Sequence, residues 1–98
     1  MKIQLSDHAQ LDLKAGYLFY EARSAGIGSY FINSLVSDID SLLISAGTHG
    51  RFHGYHRALS KRFPFAIYYL VEKNKIRVRR ILDCRRNPAW ITRQVKKG

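Results

Sequence analysis

Three histidines fall within one short segment, His49, His53 and His56, in the spacing H-x3-H-x2-H. Imidazoles can ligate zinc, but only if the backbone presents them together. This stretch (Gly47-Thr48-His49-Gly50-Arg51-Phe52-His53-Gly54-Tyr55-His56) carries glycines and no carboxylate. It reads as a solvent-facing loop, and neither a metal nor any other cofactor is expected. Cys84 is the one cysteine, which excludes an intramolecular disulfide and the cysteine-based zinc patterns. It is expected to be a small buried residue. The remaining chemistry is cationic. Arg57, Lys61, Arg62, Arg77, Arg79, Arg80, Arg85, Arg86 and Arg93 all lie in the second half, interleaved with Tyr68, Tyr69 and Trp90. Arginines beside an exposed tyrosine can hold phosphates or acidic side chains and stack on bases.

Charge is split along the chain. Of 98 residues with net charge +10, residues 1–50 carry three Lys and Arg against five acids, 3 − 5 = −2. Residues 51–98 carry fourteen against two, 14 − 2 = +12. Such a field attracts nucleic acid, an acidic protein or an anionic surface. The N-terminus turns polar after five residues, without the apolar core of a signal peptide, and no apolar run is long enough to cross a bilayer. A cytoplasmic protein without membrane contact is expected, built as one domain over residues 1–98.

The elements that must position these cations follow from periodicity. Residues 2–5 suit a short first strand. Asp7 is placed to cap a helix, with Gln10 completing a capping box and Leu11, Ala15, Leu18, Phe19 and Ala22 as its apolar stripe. Two glycines in Ser24-Ala25-Gly26-Ile27-Gly28 stop it. Ser29 is placed to cap a second helix with the stripe Phe31, Ile32, Leu35, Val36, Ile39, Leu42 and Leu43, ended by Gly47. A strand is expected near 55–61. Another runs over 63–71, with Phe63, Phe65, Ile67, Tyr69 and Val71 on one face and Pro64 near its start. Lys73-Asn74 forms a hairpin tip in which asparagine takes positive φ. The strand 75–84 places Ile76, Val78 and Leu82 on one side and Arg77 and Arg79 on the other. Strict alternation then puts Arg80 on the apolar face, unless a bulge re-aims it or it snorkels to the rim. Asn87-Pro88 opens a short terminal helix around Trp90. The class is α+β: an antiparallel sheet packed against an N-terminal helical hairpin, in the order β-α-α-β-β-β with a short C-terminal helix.

Arg57-Ala58-Leu59-Ser60-Lys61-Arg62-Phe63-Pro64-Phe65-Ala66-Ile67-Tyr68-Tyr69 resembles the ParE toxins of the ParE/RelE superfamily, in which an Arg–small–Leu step precedes a Phe-Pro-aromatic strand. Ile76 to Trp90 is similar to the family's last strand and its Arg-Asn/Asp-Pro-x-Trp element. Ala9, Asp12-Leu13, Tyr20-Glu21 and Gly26 to Phe31 are similar to its helical hairpin. The resemblance implies the toxin of a type II toxin–antitoxin pair, neutralised by a cognate antitoxin whose acidic segment wraps the toxin. It points to a ParE-like inhibitor of DNA gyrase, or alternatively to a RelE-like ribonuclease that cuts messenger RNA on the ribosome. The ribonucleases of the superfamily resemble one another in a basic residue at the head of the central strand. Pro64-Phe65 stands there in this chain, and neither residue can move a proton or stabilise an anion. Trp90 likewise stands where those relatives tend to place a Tyr or His beside an arginine. The expectation is therefore an inhibitor rather than an enzyme. Arg57, Lys61, Arg79, Arg85, Arg86 and Arg93 are expected to meet the target, and Tyr30, Arg77 and Arg79 the antitoxin. If the chain were a nuclease, Lys61, Arg85 and Arg86 would serve its chemistry.

Overall fold

A computed structural model describes residues 1–97. In chain order it contains β1 (Lys2–Leu5), α1 (Asp7–Glu21), α2 (Ile27–Asp40), α3 (Leu42–Ser45), β2 (Arg51–Phe52), β3 (Tyr55–Leu59), β4 (Phe65–Glu72), β5 (Lys75–Asp83) and α4 (Pro88–Lys97). The five strands form one sheet in the order β1-β5-β4-β3-β2. The α+β class and the helical hairpin are as expected, with two additions: the single turn α3 and the short edge strand β2. The sheet is also not wholly antiparallel, since β1 lies parallel to β5.

The helical hairpin covers one face of the sheet. There Ala9, Phe31, Leu35, Ile39, Leu42, Phe65, Ile67, Tyr69, Ile76, Val78 and Ile81 form the larger apolar cluster. On the other face α4 lays Ile91 and Val95 over Ala66, Tyr68 and Leu82. Two covered faces explain why β4 is buried continuously from Phe65 to Tyr69 rather than alternately. Tyr68 and Tyr69 point to opposite faces as neighbours on a strand must, and both are fully buried. The exposed tyrosine envisaged for base stacking is therefore absent, because a helix covers each side.

Both helix starts differ from the sequence reading. Ser6, not Asp7, caps α1, its hydroxyl accepting from the Ala9 N–H at 3.0 Å while donating to the Arg79 carbonyl at 2.7 Å. No capping box forms, and the Gln10 side-chain amide donates to the Leu5 carbonyl instead. Ser29 lies inside α2, whose cap is Gly26 at φ +92°. The Glu21 carboxylate does the capping from the preceding helix, accepting from the N–H groups of Gly26 and Gly28 at 2.9–3.1 Å. A carboxylate there also complements the positive end of the helix dipole.

The inward face of α1 differs as well. Ala9 and Gly16 are buried, with Leu13 and Tyr20 packed against the core, whereas Leu11, Ala15, Leu18, Phe19 and Ala22 face outward. Gly16 decides this. A Cβ at Gly16 would sit 2.5 Å from the Phe31 ring, so α1 approaches α2 with the one residue that leaves room. In α2 and α3, Phe31, Leu35, Ile39 and Leu42 are buried as expected, while Val36 and Leu43 are exposed.

A bulge at Arg79 reorganises β5. Tyr68 pairs with Arg80, but Tyr69 pairs with Val78, so Arg79 is the extra residue. Alternation reverses beyond it. Ile81 therefore joins the hairpin-side core, while Leu82 turns to the α4 side, opposite to Ile76 and Val78. Arg80 shares the Tyr68 side and is buried. At the β4–β5 turn Lys73, rather than Asn74, takes positive φ. The Asn87 side chain caps α4 as expected, accepting from the Ala89 N–H at 2.8 Å ahead of Pro88.

Candidate functional site

The cations of the second half gather chiefly around the chain that leaves β5. Asp83 ends the strand, and its carboxylate accepts from Arg85 Nε at 3.0 Å, Arg85 Nη2 at 2.7 Å and the Arg85 N–H at 2.8 Å. Partial burial pushes the Asp83 carboxyl up, but the Arg85 bonds win and hold it below the ordinary carboxylate range. Arg85 in turn is held firmly protonated by Asp83, and its Nη2 reaches the Tyr20 hydroxyl at 3.4 Å. The Arg86 guanidinium lies 3.9 Å above the Trp90 ring, a cation–π geometry. Trp90 packs against the α4-side core, so it both anchors the helix and supports Arg86.

Arg57 adjoins this group on the α4 side of the sheet. It donates from Nε to the Tyr68 hydroxyl at 3.3 Å and lies 3.6 Å from Cys84 Sγ. The hydrogen bond to Tyr68 raises its pKa despite partial burial, so it is a fixed cation. Cys84 is half-buried beside it, more open than expected. Lys61 stands apart on the β3–β4 connection, which is tied to α2 through Asp38: the Asp38 carboxylate accepts from the Ser60 hydroxyl at 2.6 Å and the Lys61 N–H at 3.3 Å. Arg79 lies farther along β5, with its Nε on the Val95 carbonyl and its guanidinium 5.3 Å from the Tyr55 ring. Arg93 is exposed on α4.

Arg85 and Arg86 are neighbours in the chain, and Arg57 reaches towards them only through Cys84 on the α4 face, while Arg85 turns to Tyr20 of α1; Lys61 and Arg79 lie apart from them. The residues expected to meet an antitoxin do not form one patch. Tyr30 packs on Phe63 just before β4 begins, whereas Arg77 is ion-paired with Glu72 at its far end. The strand between them is on the order of 20 Å long.

The acids explain why the surface is so positive. Asp12 accepts from Arg80, Glu72 and Asp83 from arginines, Asp38 from the β3–β4 connection, and Glu21 from α2. Most carboxylates are engaged internally, so solvent meets the surplus cations. Near Arg85 and Arg86 the titratable partners are an ionised Asp83 and the Tyr20 phenol. Fixed charge of this kind suits binding to anionic groups better than proton transfer, which needs a group titrating near neutrality. The histidines serve elsewhere. The Tyr69 hydroxyl bonds the His49 ring and accepts from the Gly47 N–H at 3.0 Å, while the His56 ring stacks on Tyr69 and its Nδ1 donates to the His49 carbonyl at 2.8 Å. His53 occupies the β2–β3 turn at positive φ. Among the described residues, no three His, Cys, Asp or Glu side chains converge as a metal site.

The ion pair of Asp12 with Arg80 and the capping of α2 by Glu21, which position these elements, are not visible in the sequence, although Arg80 breaks the alternation of β5. Each pairing joins residues far apart in the chain, and only the fold brings them together.

The same arrangement of hairpin, sheet and terminal helix occurs in a chain of the solved chromosomal ParDE TA system from P. aeruginosa. The match has a TM-score of 0.75 at 23% identity and covers 83% of this chain and 92% of that one. The two chains share a fold. No protein-family model matches the sequence, and no curated protein matches it. No helix among the described residues is long and apolar enough to cross a membrane.

Proposed function

We propose that this chain is the toxin of a type II toxin–antitoxin system, a single-domain ParE-like inhibitor of DNA gyrase acting in the cytoplasm and held inactive by an acidic cognate antitoxin. The fold shared with a chain of a ParDE TA system carries the toxin reading. The preference for inhibition over RNA cleavage rests on the head of β4. Pro64 and the buried Phe65 occupy it, and Phe65 packs against the Phe31 ring rather than facing a substrate. Arg57, Arg85 and Arg86, with Lys61, Arg79 and Arg93 around them, supply the target-binding surface on this reading. Fixed cations recognise an acidic protein surface or DNA phosphates without any proton moving.

Inducing the chain in a bacterial host without its partner, and following growth together with transcript integrity, tests this. Growth arrest with intact transcripts is expected, relieved by co-expression of a cognate acidic antitoxin. Cleaved transcripts would favour the ribonuclease reading, in which Lys61, Arg85 and Arg86 serve the chemistry. Unimpaired growth would contradict both.

A further inference from the structure

One stretch of this basic chain holds no cation. Between Arg23 and Arg51 there is no lysine or arginine, while Asp38 and Asp40 give residues 24–50 a charge of 0 − 2 = −2. That stretch contains α2 and α3, the two helices without a cation. Ser41 joins them with helical backbone angles, so the outer face of α2 runs on into α3. Val36 and Leu43, seven residues apart, share one side of this axis and are 43% and 52% exposed. Ile44, next to Leu43, is 95% exposed. It lines a groove of about 310 Å³ together with Leu59, which is 61% exposed beyond the end of the β2 pairing. A small protein seldom leaves four such side chains together without a partner.

We infer that this face associates with a second copy of the chain in a two-fold contact, with Ile44 at its centre. Charge selects that occupant. Two copies of charge +10 repel most where their basic halves meet, and least where both present α2 and α3. At ordinary salt, exposed charges farther apart than about 10 Å are largely screened from each other. The negative sign of residues 24–50 disfavours DNA and acidic proteins at the same place. A two-fold contact sets one patch against itself, so the patch must be its own complement. Asp40 stands one helical turn before Ile44, and Lys61 lines the groove with Leu59. Both are exposed, and neither side chain is ion-paired among the described residues. The rim thus offers one free charge of each sign around a neutral centre, and Asp40 of each copy can meet Lys61 of the other. This self-association does not depend on the toxin role.

Sedimentation equilibrium of the purified chain from about 1 μM to about 1 mM should show its mass rising from one chain to two, the range expected of a small apolar contact. Ile44→Glu and Leu43→Glu, both at exposed positions, should each raise the dissociation constant at least about tenfold. Each substitution removes an apolar contact and sets like charges against each other across the two-fold axis. Leu18→Glu, on the separate exposed stripe of α1, should leave association unchanged. Unchanged circular dichroism shows that the variants keep their fold. A single-chain mass at every concentration would overturn the inference and leave the face to another kind of partner. Association insensitive to both Ile44→Glu and Leu43→Glu, or lost in Leu18→Glu, would also overturn it, because the contact would then lie elsewhere.

Discussion

The Asp12 carboxylate grips Arg80 from both sides, with Oδ2 2.8 Å from Nε and Oδ1 3.0 Å from Nη2. Oδ2 also accepts the Ile81 N–H at 2.9 Å, so Asp12 stands in for the strand that β5 lacks beyond β1. Arg80 Nη1 continues to Gln94 Oε1 at 2.9 Å, linking α1, β5 and α4. Both members of the pair are nearly buried, with side-chain exposures of 13% and 11%. Asp12→Ala would strand the guanidinium among apolar groups. A loss of roughly 3–5 kcal/mol in unfolding free energy is expected by urea titration. A loss below about 1 kcal/mol would show that solvent reaches the pair.

Gly16 faces Phe31 too closely for any side chain. Gly16→Ala should destabilise the chain by about 1–3 kcal/mol through overpacking, despite alanine's better helix propensity. Shrinking the obstructing ring in the double variant Gly16→Ala/Phe31→Leu should make the two losses less than additive, measured in a double-mutant cycle. Strict additivity would mean that the two residues do not share the contact.

Asp83 gives the fold a pH dependence of known sign. Its folded-state pKa is lowered, with burial opposing and the Arg85 bonds prevailing. The stability it contributes is therefore fully present above the unfolded value of about 4 and is lost as pH falls through the lower folded value. Thermal unfolding of Asp83→Asn should be less steep than wild type below pH 4 and offset from it at neutral pH. Identical pH profiles would remove Asp83 from the account.

Much of the fold was legible because it is written in local signals. Asn87-Pro88 marks the start of α4, Gly47 the end of the helical half, and the Phe63–Tyr69 alternation the core face of β4. The errors came from residues that act at a distance. Glu21 caps α2 from another helix, a role that Ser29, the local cap candidate, does not fill. The α1 stripe was read from its largest apolar residues, but the packed side is the one carrying Gly16, where backbones meet. Arg80, by contrast, breaks the alternation of β5 openly; of the two outcomes expected for it, a bulge or snorkelling, register with β4 selects the bulge at Arg79. In the candidate site, sequence identified the cations but not the carboxylates that fix Arg85 and Arg80, because those partners converge only in the fold.

Arg57, Arg85 and Arg86 are expected to serve binding more than stability. Arg86→Ala leaves the buried cores intact and should reduce toxicity in the growth assay with little change in melting temperature. Arg85→Ala should do the same with a modest stability loss from Asp83. Full toxicity in the triple alanine variant, confirmed as folded by circular dichroism, would move the working surface elsewhere.

Gyrase supercoiling of relaxed plasmid, titrated with the purified chain, tests the central claim most directly. Inhibition that rises with concentration, weakens in the Arg57/Arg85/Arg86 alanine variant and leaves added RNA intact is the predicted result. Undiminished supercoiling at a concentration that arrests growth would contradict it.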